Sequence, residues 1–200
     1  MFVTLEGIDR SGKTTQARLL SEALGPDTLL LREPGGTPAG ERIRELLGDA
    51  RIELEATSEL LLFGAARAEL VAREIRPAIA AGRDVVCDRF TDSTLAYQGA
   101  ARGLGADPVT VLNRLATGGL RPDLTVLLRV EAGLAAQRRA ADDDRFEREG
   151  AEFQVAVAAA YDEIAGREPD RVVVVDASHE VEAVHAAVMA AVDERAATPS

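Results

Sequence analysis

A glycine-rich segment near the first residue has the composition and spacing of a phosphate-binding loop. It reads Gly7-Ile8-Asp9-Arg10-Ser11-Gly12-Lys13-Thr14-Thr15 and fits the pattern G-x-x-x-x-G-K-[ST]. Its glycines let the backbone curl so that successive N–H groups point at an anion, and a helix that begins near Lys13 adds its positive end. Lys13 would supply charge to the outer phosphates, and the Thr14 hydroxyl would be available to Mg²⁺. The segment therefore predicts a nucleotide site.

The lysine count supports this prediction. Lys13 is the only lysine, and the other 22 of the 23 basic residues are arginine. Since an ammonium and a guanidinium are not interchangeable around phosphates, the single lysine stands where the loop requires one. The alternative is a glycine turn that only precedes a helix. A GTPase-type switch is disfavoured, because such proteins recognise guanine with an Asn-Lys-x-Asp motif that is absent here. The only asparagine, Asn113, is followed by Arg114.

A second candidate site follows the strand predicted at residues 84–87, where the adjacent charges Asp88 and Arg89 stand. In an open parallel sheet the carboxyl ends of the strands line the ligand crevice. Asp88 would then contact Mg²⁺ or its waters, and Arg89 would hold a phosphate. The structural alternative is that Asp88 caps the next helix and Arg89 pairs with it.

Residues 137–150 carry charges of both signs and are nearly free of apolar side chains except Phe146. One interpretation, which composition alone favours, is a solvated helix end and loop. The other is a short lid at about residues 138–149 that brings arginines over a bound phosphate.

Five short apolar runs predict strands, and stretches of helical periodicity lie between them. The strands are predicted at residues 2–6, 28–31, 84–87, 124–130 and 171–175. The helices are predicted at residues 13–24, 38–48, 58–81, 92–102, 108–117, 132–140, 151–165 and 180–195. Continuously apolar strands are expected where helices cover both faces of a parallel sheet. The pattern predicts a three-layer α/β fold with a five-stranded parallel sheet and, because no linker interrupts it, a single domain over residues 1–200.

The composition of the 200 residues excludes several classes of protein. A hydrophobic fraction of 46% and a charged fraction of 28% are typical of globular proteins. The net charge of −11 disfavours nucleic acid and anionic membranes as partners, so any cations that bind an anionic substrate must be concentrated in one cleft. The single cysteine, Cys87, excludes an intrachain disulfide. No apolar stretch is long enough to span a membrane and no signal-peptide pattern is present, so we expect a soluble cytoplasmic protein.

Several ordered motifs resemble those of bacterial thymidylate kinases, and together they extend over essentially the whole chain. Beyond the glycine-rich loop they are the runs at residues 32–37, 41–47, 62–67, 88–99, 118–125 and 144–147. The resemblance implies a P-loop NTPase fold and a homodimer. It also implies transfer of the γ-phosphoryl group of Mg-ATP to dTMP, giving dTDP and ADP, in dTTP biosynthesis.

The resemblance also implies roles for side chains on the dTMP side. Phe63 would stack on thymine, and Arg67, one helical turn later on the same face, would hydrogen-bond the base edge. Tyr97 would pack under the sugar and disfavour a 2′-hydroxyl, and Asp9 would lie near the 3′-hydroxyl. The rest of the base edge would be read by Ser93, Thr94 and Gln98. The acceptor phosphate and its metal would be arranged by Glu33, Arg44 and Arg89. From the residues alone, Phe63 would instead be core, Arg67 exposed helix surface and Tyr97 ordinary packing.

Three positions depart from the family pattern. Ala66, beside Arg67, and Arg129 each stand where relatives often have aspartate. The third departure concerns the catalytic arginine, which relatives place either in the loop or in the lid. Here the loop carries Arg10, and Ala140 stands where a lid arginine is expected, so we expect Arg10 to dominate. The catalytic candidates are Arg10, Lys13, Arg89, Arg139 and Arg145.

Two other functions remain open from the sequence. The first is a kinase of the same fold that acts on a different nucleotide or on a deoxynucleoside, with Glu33 as the base that takes the hydroxyl proton. The second is a nucleotide-binding regulator with no turnover. An assay of ADP release with a panel of acceptors separates these possibilities.

Overall fold

The strands and the order in which they pair confirm the predicted fold class. The structure, a computed structural model, describes residues 1–138 and 150–197. Five parallel strands form one sheet in the order β2-β3-β1-β4-β5. Their bounds are β1 Phe2–Glu6, β2 Leu29–Arg32, β3 Val85–Asp88, β4 Leu124–Arg129 and β5 Val172–Asp176. Each bound lies within one residue of the expected position.

Helices flank this sheet and connect its strands. They are α1 Lys13–Leu24, α2 Pro38–Gly48, α3 Ala56–Leu70, α4 Arg76–Ala80, α5 Thr91–Thr94, α6 Ala106–Thr117, α7 Ala132–Gln137, α8 Ala151–Arg167 and α9 Val181–Ala197. A π-helical segment, Val71–Ile75, joins α3 to α4, and a second one, Leu95–Ala101, extends α5. The periodicity predicted a regular helix in both places.

Two hydrophobic clusters lie against the sheet and fix its position between the helices. The larger one joins β1, β4 and β5 to α1, α8 and α9. The smaller one joins β1, β2 and β3 to α3 and α4, and in it Phe2 meets Phe90 edge-to-face at 5.1 Å. The central strands β1 and β3 are buried along their whole length, which explains why apolar and polar residues do not alternate along them.

The strand register brings the ends of three strands to one edge of the sheet. Leu5 of β1 pairs with Asp88 of β3, and Arg32 of β2 pairs with the same Asp88. The segments that follow these strands therefore meet at the carboxyl edge, where ligands bind in open parallel sheets. The predicted lid lies outside the described residues apart from Arg138. Within the described ranges, no helix is both long and apolar enough to cross a membrane.

Candidate active site

A cavity of about 240 Å³ at the carboxyl edge collects most of the predicted site residues. Those that line it are Asp9, Arg10, Lys13, Thr14, Glu33, Arg44, Phe63, Asp88, Arg89, Ser93, Thr94, Tyr97 and Gln98. Three further lining residues were not predicted, namely Arg32, Pro34 and Gly48. The glycine-rich loop and the segments after β2 and β3 therefore share one space, as the strand order requires.

The glycine-rich loop needs glycine at its first position and stores strain in its middle. Gly7 has φ 142°, and a Cβ atom there would lie 2.6 Å from the Leu128 carbonyl oxygen. Arg10 adopts φ 63°, a left-handed conformation that side chains rarely take. Such residues persist where the surrounding structure holds them, and they are enriched at functional sites.

Lys13 is buried at the base of the cavity. Its Nζ donates to the Ile8 carbonyl oxygen at 2.6 Å and to Ser11 Oγ at 3.3 Å. Burial and the nearby positive charge of Arg89 lower the pKa of Lys13 to about 8. An anion placed beside the ammonium would raise this pKa again, because it favours the charged form.

Thr14 and Asp88 form the pair that was predicted to face a metal. Thr14 Oγ1 donates to Asp88 Oδ2 at 2.5 Å, while Asp88 Oδ1 is buried and has no hydrogen-bond partner within the described part of the chain. A buried carboxylate oxygen without a partner is costly, so it suits a cation. Mg²⁺ needs only one or two carboxylates when phosphates supply other ligands. The described residues accordingly fit Mg²⁺, although they contain no cluster of three His, Cys, Asp or Glu side chains.

Arg89 pairs with Asp9 and not with Asp88, so the structural alternative for this arginine was wrong. Its Nη2 donates to Asp9, and its Nη1 donates to the Gly7 carbonyl oxygen and to Ser93 Oγ. The guanidinium lies 5.0 Å from the centre of the Tyr97 ring. Burial would raise the pKa of Asp9, but Arg89 and Lys13 outweigh it and hold that pKa below its usual value. Like Arg10, Arg89 has a left-handed backbone, with φ 71°.

Glu6 lies beneath this pair and was missed from the sequence. Its carboxylate accepts from Phe90 N at 2.7 Å, from Ser93 Oγ at 2.6 Å and from Tyr161 Oη at 2.7 Å. Burial, followed by the nearby Asp92, raises the pKa of Glu6 to about 7. A signal was present, because Glu6 is the one charged residue of a strand that is buried along its whole length.

Gln154 of α8 is a second residue that sequence reasoning missed. Its Nε2 donates to Asp9 Oδ2 at 2.7 Å, and its Oε1 accepts from Asp9 N at 3.4 Å. The two residues are 145 positions apart, so no local pattern could have connected them. Gln154 therefore helps to hold the Asp9 carboxylate that pairs with Arg89.

Arg67 lies behind the cavity and does not line it. Only 1% of Arg67 is exposed, so the alternative of an exposed helix surface was wrong. It donates to Glu33 Oε2 at 2.6 Å, to Thr94 Oγ1 at 3.1 Å, to Asn113 Oδ1 at 2.6 Å and to the Phe90 carbonyl oxygen at 2.9 Å. These bonds and the one from Nε to Glu33 engage all five N–H groups. Arg67 could thus reach a bound base only by giving up one of them.

Arginines also approach the cavity and the glycine-rich loop from their rims. Arg44 donates to the Pro34 carbonyl oxygen at 3.0 Å, and Arg32 pairs with Glu41 at 3.1 Å. Arg138 donates to the Arg10 carbonyl oxygen at 3.2 Å and to the Ala177 carbonyl oxygen at 2.6 Å. The predicted lid arginines, Arg139 and Arg145, lie outside the described residues. Arg129, which had no account from sequence, pairs with Asp162 of α8 at 2.7 Å.

Comparisons with known proteins identify the family of this chain. A family model described as Thymidylate kinase matches residues 5–188. A thymidylate kinase of Symbiobacterium thermophilum is 46% identical over 97% of this chain and 93% of its own length. One of Pseudomonas putida strain GB-1 is 48% identical over 92% of this chain and 90% of its own length.

A solved structure extends the similarity to the fold. The crystal structure of thymidylate kinase from Ehrlichia chaffeensis matches with a TM-score of 0.81 and 36% identity, covering 96% of this chain and 98% of that one. The P-loop NTPase fold expected from the sequence is thereby confirmed. These matches extend over nearly the whole chain, and the chain belongs to the thymidylate kinase family of nucleoside monophosphate kinases.

Proposed function

We propose that this chain transfers the γ-phosphoryl group of Mg-ATP to dTMP, giving dTDP and ADP, in dTTP biosynthesis. The observation that carries the proposal is the shared cavity, in which Lys13 and Thr14 of the glycine-rich loop face the same space as Phe63 and Arg44. A donor phosphate held by the loop and an acceptor held by the far wall would therefore meet inside one protein.

The wall of α3 and the π-helical segment Leu95–Ala101 supports the pyrimidine and the sugar. Phe63 offers a ring face for stacking on the base, and Gln98 offers an amide to its edge. Tyr97 lines the cavity and is 5% exposed, and it is assigned to the sugar, where it would disfavour a ribose 2′-hydroxyl. Asp9, held by Arg89 and Gln154, is assigned to the 3′-hydroxyl.

The acceptor phosphate is assigned to Arg44 and Arg89, with Glu33 beside them. Arg67 donates hydrogen bonds to Glu33, and these bonds fix the position of the Glu33 carboxylate in the cavity wall. Arg67 would contact the base most simply by exchanging its bond to Thr94, since Thr94 lines the cavity. Ser93 and Thr94 line the same wall and are assigned, with Gln98, to the remaining base edge.

Phosphoryl transfer to a monophosphate depends on charge and position more than on a base. The acceptor oxygen is already largely ionised at neutral pH, because its second pKa is about 6. The barrier comes from repulsion between two polyanions and from charge spread over the transferring group. Lys13, Arg10 and Arg89 supply fixed positive charge there, and an arginine at this position is typically worth ~10³–10⁵ in rate. Thr14 and Asp88 would hold Mg²⁺, which when bound offsets negative charge on the donor phosphates.

An acceptor panel tests the proposal directly. ADP release from ATP is measured with dTMP, dUMP, dCMP, the purine deoxynucleotides and thymidine. We expect dTMP to give the highest kcat/KM. A preference for thymidine would indicate a nucleoside kinase, in which Glu33 would have to act as the general base. Both Glu33 oxygens accept hydrogen bonds from Arg67, so Glu33 is poorly placed to take a proton from a hydroxyl group. Turnover with none of the acceptors would indicate a nucleotide-binding regulator and would overturn the proposal.

The proposal includes a single kinase domain that acts in the cytoplasm as a homodimer. Support for the dimer comes from α3 and α6, which pack together and carry exposed apolar side chains. Leu115 and Val111, one turn apart on α6, are 78% and 69% exposed, and Leu61 of α3 is 56% exposed. Apolar groups grouped in this way are typical of an interface between protein copies.

A further inference from the structure

A buried carboxylate on α3 holds the amide of the residue assigned to the base edge. Glu59 is 1% exposed and is not among the residues that line the cavity. Its Oε1 accepts from Gln98 Nε2 at 2.8 Å and from Arg102 Nε at 3.3 Å, and its Oε2 accepts from Arg102 Nη2 at 3.4 Å. Glu59 lies one helical turn before Phe63, so the base-stacking ring and this carboxylate share one face of α3.

The carboxylate determines which end of the Gln98 amide faces the cavity. A carboxylate paired with a guanidinium accepts hydrogen bonds and has none to donate, so it binds the NH₂ end of the amide. The two ends of a side-chain amide point in different directions, and Gln98 itself lines the cavity. Among the described residues its Oε1 takes no hydrogen bond, so this oxygen is the atom left for a ligand.

An oxygen in that position distinguishes between pyrimidines. Thymine and uracil carry an N3–H donor between two carbonyl groups, whereas the N3 of cytosine is a bare acceptor. Gln98 Oε1 would therefore accept a hydrogen bond from the N3–H of a keto pyrimidine, whereas its lone pairs would face the lone pair on the N3 of cytosine. A buried site that is matched to one hydrogen-bond pattern discriminates strongly against the opposite pattern.

We propose that Glu59 is a positioning residue for pyrimidine specificity: by holding Gln98 Nε2, it turns Gln98 Oε1 toward the base and so selects a 4-keto pyrimidine monophosphate over a 4-amino one. This inference rests on the proposed function and deepens it. Without Glu59 the Gln98 amide could rotate by half a turn and donate to the N3 of cytosine. The substitution Glu59→Gln keeps the shape of the side chain, but its amide can donate as well as accept, so it releases this constraint.

The experiment compares kcat/KM for dTMP and for dCMP in four proteins: the wild type, Glu59→Gln, Gln98→Leu and the double variant. We expect Glu59→Gln to lower the ratio of dTMP to dCMP by ~10-fold or more, chiefly through KM. In the Gln98→Leu background the same substitution should leave the ratio unchanged, because the amide through which Glu59 acts is gone.

The outcomes separate this inference from the proposed function. Failure of the wild type to use dTMP would reject the function and the inference with it. If the wild type uses dTMP but Glu59→Gln leaves the dTMP-to-dCMP ratio unchanged, only the role of Glu59 is rejected. The same holds if Glu59→Gln lowers that ratio equally in the wild type and in the Gln98→Leu background. If Glu59→Gln does not fold, NMR of the wild type with dTMP decides. We expect the Gln98 side-chain NH₂ protons to lie close to α3, and their contact with the bound base would overturn the inference.

Discussion

The central feature at the residue scale is a group of positively charged side chains whose positions are fixed without any bound substrate. Burial, followed by the positive charge of Arg89, lowers the pKa of Lys13, and Asp88 and Asp9 offset part of that shift. Two arginines, Arg10 and Arg89, also hold left-handed backbones. The protein thus holds positive charge that bound phosphate groups would offset, which is expected where catalysis depends on fixed electrostatics.

Arg10 should be the arginine on which the rate depends most. We expect Arg10→Ala to lower kcat by at least ~10²-fold while the affinity for dTMP changes little, because its charge acts on the transferring group. Steady-state kinetics and dTMP titration measure the two quantities. Arg139→Ala serves as the comparison and should have the milder effect. A near-normal kcat in Arg10→Ala, or the opposite ranking, would move the catalytic arginine to the lid.

Lys13 should take up a proton when ATP binds. Its pKa of about 8 lies below the ordinary value of 10.5, so near pH 8 about half of the ammonium groups have lost their proton. Phosphates beside Nζ favour the charged form, so ATP binding at pH 8 draws protons in, and ATP affinity falls as the pH rises above 8. Calorimetry in two buffers that differ in ionisation enthalpy measures the uptake. Lys13→Arg is the control, because arginine stays protonated. The same uptake in both proteins would assign it to another group.

At the element scale, Glu6 ties the end of β1 to the start of α5. It accepts from the backbone of Phe90 and Ser93 and from the Tyr161 hydroxyl, so it positions the segment that follows Arg89. A second tie lies nearby, where Arg171 pairs with Asp92 of α5 at 2.8 Å. The short helix α5 therefore depends on tertiary contacts for its position, as expected for four residues.

Glu6 should give the stability of the protein a slope with pH. Its pKa in the folded chain, about 7, lies above the unfolded value of 4.5. Its contribution to stability is therefore fully present below about pH 4.5 and is lost as the pH rises through about 7. Urea unfolding between pH 5 and 8 should show this loss, and Glu6→Gln should reduce it even though the variant is less stable overall. The exposed substitution Glu53→Gln is the control. An unchanged slope in Glu6→Gln would contradict the assignment.

The elements were largely predictable, whereas several side-chain partners were not. Apolar runs gave all five strands, because central parallel strands are buried on both faces. The π-helical segment that carries Tyr97 and Gln98 was not predictable, since one widened turn leaves the apolar period nearly unchanged. The spacing correctly placed Arg67 and Phe63 on α3, but the burial of Arg67 depends on Glu33, which is 34 positions away. Contacts of this kind are decided by tertiary packing and leave no local pattern.

At the scale of the whole molecule, the charge distribution follows from the composition. A net charge of −11 coexists with a cavity lined by Arg10, Lys13, Arg44 and Arg89. The acidic exterior would repel polyanions in general, while the positive side chains of the cavity would attract phosphate groups. The net charge alone predicts this, since an acidic protein that binds an anionic substrate must concentrate its cations in one cleft.

The exposed apolar side chains of α3 and α6 should hold two copies together. We expect the wild type to sediment as a dimer and Leu115→Glu to sediment as a monomer, because a buried, unpaired carboxylate would oppose association. Val181→Glu, at an exposed apolar position of α9, is the matched control and should remain a dimer. Analytical ultracentrifugation distinguishes these states. A wild type that is monomeric at micromolar concentration would refute the proposed assembly.

A crystal structure with dTMP and a non-hydrolysable ATP analogue tests the whole account most directly. The account predicts the thymine ring stacked on Phe63, its phosphate within hydrogen-bond distance of the Arg44 or Arg89 guanidinium, and the triphosphate seated on residues 7–15. A pyrimidine bound away from Phe63, or an acceptor phosphate out of reach of both guanidinium groups, would contradict it.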